Sequence, residues 1–408
     1  MSKWVKQLTR ENTLLDRSLR ALAYRDAVKE IGKATVSNCI ITGHGRVSSL
    51  YYLSNDYKKQ QLIICKEFKG SRISKMSETM VRFLEQGYSW AKQIERKKLS
   101  KKDFLKYYKK FLKHHAHARG CILYGYWGEP LITTALKKKL KDKVRAKELD
   151  KTISILSLPQ KIQSAILKKL YHTPDNLLGK KKQVIKKINP NPKTAELIEI
   201  LSWFTFFYEV GERVAAYLYK QLLSHLKRIV KNKTELEKLT WYDPKTFERY
   251  LKGKKLSKQE LDNRKKIYVL KMIKGKWEVL VGPRAEKYYQ LHLEEKEKIP
   301  ASGIIKGTIA CQGRAKGKVK IIITQEEQKK MNKGDILVSP MTTPQLVSAI
   351  KKAAAIVTDE GGMTAHAAIV SRELGIPCIV GTKIASKVFK DNDLVEVNAN
   401  KGIILRID

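Results

Sequence analysis

The segment TDEGGMTAHAAIVSRELGIPCIVG, residues 358–381, decides how the C-terminal part of this chain is read. A short apolar run, AAAIV, leads into Thr358 and reads as a buried strand. Gly361 and Gly362 then permit a sharp turn, and the spacing predicts a helix over 364–375 with Thr364 as its N-cap. His366 therefore falls in the first helical turn, at the mouth of a sheet. Unpaired backbone N–H groups and the positive end of the helix dipole converge there, which makes an anion site. An imidazole so placed has a lowered tendency to protonate and stays a neutral nucleophile near neutral pH. Attack on a phosphoryl group would give a phosphohistidine whose charge the helix end stabilises. Arg372, in the same segment, joins Gly361, Gly362 and Thr364 as a candidate for phosphate support. A single histidine at a helix start is more often structural, so the reading rests on the whole segment.

Outward from it, composition changes near residue 300. Before that point the chain reads as mainly α-helical, with apolar residues at three- and four-residue spacing over about 12–31, 75–98, 102–143 and 193–231. Pro190 and Pro192 punctuate the start of the last, where Thr194 is a candidate cap. A small β element is expected over 37–53 and 61–68, and a hairpin over 266–282 turned at Lys274-Gly275. Residues 158–188 read as a Lys-rich connector. After about residue 301 glycine becomes frequent, and short strands alternate with turns and brief helices, giving an α/β unit. The expected fold is thus multidomain: a helical region over 1–190, a central helix and linker over 191–300, and an α/β domain over 301–408.

The chain of 408 residues carries 83 Lys and Arg against 40 Asp and Glu, a formal net charge of +43. Residues 302–408 hold 16 basic and 10 acidic side chains, so +37 of that charge belongs to the first 301 residues. Lysine accounts for 65 of the basic residues and arginine for 18. Arginine is the residue suited to bidentate phosphate and base recognition, so a lysine excess fits solvated surfaces as well as a polyanion-binding face. A nucleic-acid partner is the second reading on this ground. Five cysteines without a Cys-x-x-Cys pair exclude a disulfide scaffold or zinc ribbon and point to a reducing cytoplasm. The N-terminal MSKWVKQLTREN has no apolar signal region, and no membrane partner is expected. His114 and His117 could share a helical face as metal ligands, but no Cys or acidic partner stands at zinc spacing. The stripe Trp203, Phe204, Phe206, Phe207, Tyr208 reads first as core and second as an acceptor pocket. Glu209 and Arg213 have ion-pair spacing. ITGHGRVSS, residues 41–49, reads as a hairpin turn, since it lacks a Walker-type Gly-Lys-Ser/Thr.

GGMTAHAAIVSRELGIPCIVG, preceded by GDILVSPMTTP, resembles the mobile phosphohistidine domain of the phosphoenolpyruvate-utilising enzymes, among them phosphoenolpyruvate synthase, pyruvate phosphate dikinase and rifampicin phosphotransferase. The resemblance implies a swivelling β/β/α domain and maps the phosphorylated histidine onto His366. Thr364 falls on a threonine that is a regulatory phosphorylation site in some plant dikinases. Two departures stand out: Ala365 where the family usually has Ser or Cys, and Ala310-Cys311-Gln312-Gly313 where it usually has Ala-Ser-Pro-Gly. A weaker likeness extends upstream through Glu209, Arg213, LEKLTWYDPKTFERYLKG and Arg264 to the helical region preceding the mobile domain. In that family the histidine shuttles phosphate between an ATP-grasp nucleotide domain and an acceptor domain. The helical, glycine-poor residues 1–300 do not read as an ATP-grasp module. The resemblance therefore implies a phosphotransferase component that binds no cofactor alone. ATP and Mg²⁺ would lie on a separate ATP-grasp partner, or phosphoenolpyruvate would donate, and a small molecule would accept.

Overall fold

The computed structural model describes residues 4–11, 14–15, 18–19, 39–44, 47–70, 72–159, 164–171, 173–274, 276–293, 304–342, 346–361 and 365–407. Three strands open the chain: β1 (Trp4–Glu11), β2 (Cys39–His44) and β3 (Val47–Leu53). Helices α1 (Ser54–Glu67), α2 (Arg72–Ile94), α3 (Lys101–Leu140), α4 (Ala146–Leu156), α5 (Asp175–Ile188) and α6 (Pro192–Ile229) follow. Then come α7 (Lys233–Leu239), α8 (Pro244–Leu251), α9 (Lys258–Lys266), the hairpin β4 (Ile267–Ile273) and β5 (Lys276–Val281), and α10 (Pro283–His292).

The long helices α3 and α6 form the spine. Ser100 caps α3 by accepting from Asp103 N, and Asn191 caps α6 by accepting from Thr194 N at 2.9 Å. The expected cap at Thr194 is thus corrected to Asn191, with Pro192 at the first helical position, where its missing N–H costs nothing. The two helices approach closely because Gly125 and Gly128 of α3 face Phe204 of α6. A Cβ at Gly125 would stand 2.4 Å from the Phe204 carbonyl oxygen. Phe204 and Phe207 are fully buried, so this part of the aromatic stripe is core. His117 stacks on Phe83 with centroids 3.9 Å apart, and His114 lies 5.0 Å from Trp90, so both imidazoles belong to aromatic packing. Arg213 donates to the Leu170 carbonyl oxygen and sits over the Tyr171 ring, rather than pairing with Glu209.

Two secondary-structure expectations are also overturned. Residues 61–68, read as β from their β-branched content, lie in α1 and its end. Gln61, Ile64 and Phe68 are buried at helical spacing, and β propensity yields to that packing. The supposed connector holds α5, whose inward stripe runs through Leu177, Leu178, Lys181, Val184, Ile185 and Ile188. Lys181 hid this period. Its stem lies in the apolar stripe while Nζ donates to the Leu158 carbonyl oxygen and to Ser202 Oγ.

The N-terminal sheet runs β1-β3-β2-β4-β5, all antiparallel. The Lys274 turn has φ 49°, as a two-residue hairpin requires, with Ile273 opposite Lys276. Strand β1 was not anticipated. Pairing of β2 with β4 joins residues 39–44 to 267–273, and Cys39, Ile41, Tyr268, Leu270 and Met272 enter the same core as α3 and α6. Described residues on both sides of 190 thus contribute to one apolar cluster.

The remaining elements are β6 (Ile305–Lys306), β7 (Thr308–Cys311), β8 (Arg314–Ile321), β9 (Ile336–Ser339), α11 (Val347–Ile350), β10 (Ala355–Thr358), α12 (His366–Leu374), β11 (Cys378–Val380), α13 (Ala385–Val388), β12 (Leu394–Asn398) and β13 (Ile403–Arg406). Their sheet order is β6-β13-β12-β8-β9-β10-β11-β7. Strands β8 to β11 are mutually parallel, whereas β7, β12, β13 and β6 pair antiparallel. Of the parallel strands, β9, β10 and β11 are buried on both faces, which explains their unbroken apolar runs, whereas β8 alternates basic, half-exposed residues. Ile336, Val338, Ala355, Val357 and Ile379 face the α13 side, while Leu337, Ile356, Cys378 and Val380 alternate toward α11 and α12. These apolar clusters are separate from that of the helical region. Among the described residues no helix is long and apolar enough to cross a membrane.

Candidate active site

The site stands at the C-terminal ends of β9 and β10, where parallel strands feed loops into the mouth of the sheet. Strand β10 ends at Thr358. Asp359 N donates to the Ser339 carbonyl oxygen at 3.1 Å, and Glu360 N to that of Pro340 at 2.9 Å, which holds the two strand exits together. Gly361 has φ +111°, and a Cβ there would meet Ala365 Cβ at 2.8 Å, so the turn admits glycine alone. Gly362 and Thr364 lie outside the described residues.

His366 is the first residue of α12. The cap position is Ala365, with φ −67° and ψ 154°, which corrects the expected cap at Thr364. Alanine has no side-chain oxygen, so the cap residue itself supplies no acceptor to the N–H groups of the first turn of α12. His366 is half-buried. Desolvation pushes its imidazole below the ordinary range, while Glu373 on the outer side acts in the opposite sense. Thr342 Oγ1 lies 3.1 Å from His366 Nδ1, and Thr342 is itself buried. One ring nitrogen is thus engaged by the loop after β9.

Arg372 is not brought to the imidazole. It is six residues further along α12, about 9 Å by the helical rise, and its Nη1 donates to the Ala310 carbonyl oxygen of β7 at 3.4 Å. It ties the helix to the sheet edge.

Sequence reasoning missed two parts of this arrangement. Thr342 lies in the SPMTTP stretch after β9, and only the return of the chain to β10 and α12 places it against His366. Asp359 is buried beneath the turn, where its Oδ1 accepts from Thr382 Oγ1 at 3.1 Å and Ser386 N at 3.0 Å, and its Oδ2 accepts from Ser386 Oγ. It fastens the loop after β11 to the loop that carries Gly361. An acidic residue directly after a buried strand was the available signal.

Residues 331–402 match the family model described as PEP-utilising enzyme, mobile domain. They carry the mobile domain of the phosphoenolpyruvate-utilising enzymes. A probable phosphoenolpyruvate synthase of Archaeoglobus fulgidus is 57% identical over 111 residues, 27% of this chain and 15% of the relative. The phosphoenolpyruvate synthase of Aeropyrum pernix is 54% identical over 112 residues, 27% of this chain and 14% of the relative. The chain therefore spans only about one seventh of the length of the curated relatives it matches. Among solved structures, Thermococcus kodakaraensis aconitase X overlaps 26% of this chain and 98% of its own at 21% identity, with a TM-score of 0.20, too low to support an argument. The mobile domain thus contains β9 to β12 and α12, and with them His366, Thr342 and Asp359.

Proposed function

We propose that this protein is a phosphotransferase component in which His366 transiently carries a phosphoryl group. The observation that carries the reading is the imidazole at the start of α12, with Nδ1 engaged by Thr342 Oγ1. In the productive tautomer Nδ1–H donates to Thr342 Oγ1, which leaves the lone pair on Nε2. Nε2 attacks the phosphorus, the N–P bond forms as the P–O bond to the leaving group breaks, and that oxygen departs with the electron pair. The N–H groups at the start of α12 meet the phosphoryl oxygens, and Thr342 continues to accept from Nδ1–H as the ring becomes cationic. The donor is a separate ATP-grasp protein holding ATP and Mg²⁺, or phosphoenolpyruvate itself, whose departing oxygen becomes the enolate of pyruvate. A small molecule accepts the group in the return step. Swivelling of the mobile domain between donor and acceptor, in the cytoplasm, completes the reading. Support comes from the mobile-domain match and the likeness to phosphoenolpyruvate synthases.

The test is to incubate the full chain with extract of its source cells and ATP, and separately with phosphoenolpyruvate, and to assay for acid-labile, base-stable phosphate. The label is expected on the wild-type chain and absent from His366→Ala. Label that persists in the variant, or none from either donor, overturns the assignment.

A further inference from the structure

Strands β7 and β11 place two cysteines opposite each other. Cys311 and Cys378 are direct register partners of an antiparallel pair, immediately before an irregularity between Cys378 and Ile379. Directly opposed antiparallel residues have Cα atoms about 4.5–5.5 Å apart, inside the roughly 4.4–6.8 Å span that a disulfide bridges without backbone movement. Both side chains emerge on the same face of the sheet and join the apolar cluster under α11 and α12. Both are free thiols in this structure. They differ in access: Cys378 is fully buried, whereas Cys311 is partly exposed at the β7 edge. The other three cysteines lack such a partner position. In register Cys39 opposes Tyr52 and Met272, and Cys65 and Cys121 sit on helices.

The pair lies directly beneath the helix that carries His366. Cys378 Sγ is 3.9 Å from the Ala367 carbonyl oxygen, one residue after His366, and Arg372 of the same helix binds the Ala310 carbonyl oxygen, one residue before Cys311. A bond to Cys311 would fix the position of the sulfur that here rests against Ala367 in the first turn of α12.

We propose that Cys311 and Cys378 form a reversible disulfide, made by small-molecule disulfides of the glutathione type, that loosens the start of α12. The Cys311 thiolate attacks one sulfur of the oxidant, forming a mixed disulfide and releasing the first thiolate. The Cys378 thiolate then attacks the Cys311 sulfur and releases the second. Two protein thiols are oxidised, one disulfide is reduced to two thiols, and the protein's two protons pass to those leaving thiolates. Burial pushes the Cys378 thiol up to about 11, so closure accelerates with rising pH. A cross-strand disulfide near a sheet edge is accessible to thiols and hence readily reversed.

The experiment incubates the full chain with oxidised glutathione, then counts alkylatable thiols after denaturation and maps linked peptides by mass spectrometry. The count should fall from five to three, with a Cys311–Cys378 crosslink that dithiothreitol removes and that Cys311→Ser never forms. A stable glutathione adduct on Cys311 with Cys378 still alkylatable overturns the pairing. Amide exchange of Ile369, whose N–H bonds the Ala365 carbonyl oxygen, should quicken in the oxidised chain and recover on reduction. Unchanged exchange overturns the coupling to α12. Neither readout uses phosphate, so failure of the phosphocarrier reading would leave this test intact.

Discussion

At the scale of single residues the site turns on the Thr342–His366 contact. Replacing Thr342 with Val keeps the shape and removes the hydroxyl, a change of about 1 kcal/mol for a neutral hydrogen bond, or roughly a fivefold slower phosphorylation of His366. Label formation followed in time measures this, and an unchanged rate would remove Thr342 from the positioning role. The imidazole also makes a pH prediction. Its folded value lies below the ordinary 6.5 because of desolvation. The neutral ring therefore persists below the pH at which a solvated histidine charges, and phosphoryl acceptance should persist with it. Titration of the His366 ring by NMR should give a midpoint below 6.5; a higher one contradicts the burial. By linkage, the unfolded chain binds more protons in that window, so this group contributes stability that falls as pH drops through it. His366 itself was legible from sequence because the glycine turn and helix start are local. Thr342 was not, since its relation to His366 exists only once β9 and β10 lie side by side.

At the scale of elements, the approach of α3 to α6 is tight enough to be sensitive to a single methyl group. Gly125→Ala would place a methyl carbon 2.4 Å from the Phe204 carbonyl oxygen, a backbone atom that cannot swing aside. Overpacking of this kind costs about 1–3 kcal/mol, which the ~1 kcal/mol that alanine gains over glycine in helix propensity offsets only in part. Denaturant unfolding should show the loss, and equal stability would mean that α3 and α6 separate easily. Element identity followed the apolar period where the helix was long enough for it to repeat over many turns, as in α2, α3 and α6, even though α3 also buries His115, His117 and Arg119. It failed in α5 because a lysine occupies one inward position, and in α1 because isoleucine and cysteine imitate a strand. Strand β1 escaped because its pairing with β3 is the main thing that defines it, and WVKQLTRE shows little alternation.

For the whole molecule, the apolar clusters divide between the helical region with its antiparallel sheet and the mixed sheet beginning at Ile305. Residues 304–408 expressed alone should therefore unfold cooperatively, with a calorimetric transition like that of the same region in the full chain. A non-cooperative fragment would show that the helical region is needed to complete it. Charge is distributed as unevenly as the cores, since most of the net positive charge lies before residue 302.

The sequence alone determined the strand–turn–helix that presents His366, the long helices and the closing hairpins, because each is specified by periodicity, glycine and proline within a few residues. The tertiary structure decided what those elements meet. It set Thr342 on Nδ1, Asp359 beneath the turn, Cys311 opposite Cys378, and β4 beside β2 across more than 200 residues of chain. Such contacts are fixed by burial and strand register between distant segments. No local pattern encodes them, because the free energy that selects them appears only when both partners are already folded against each other.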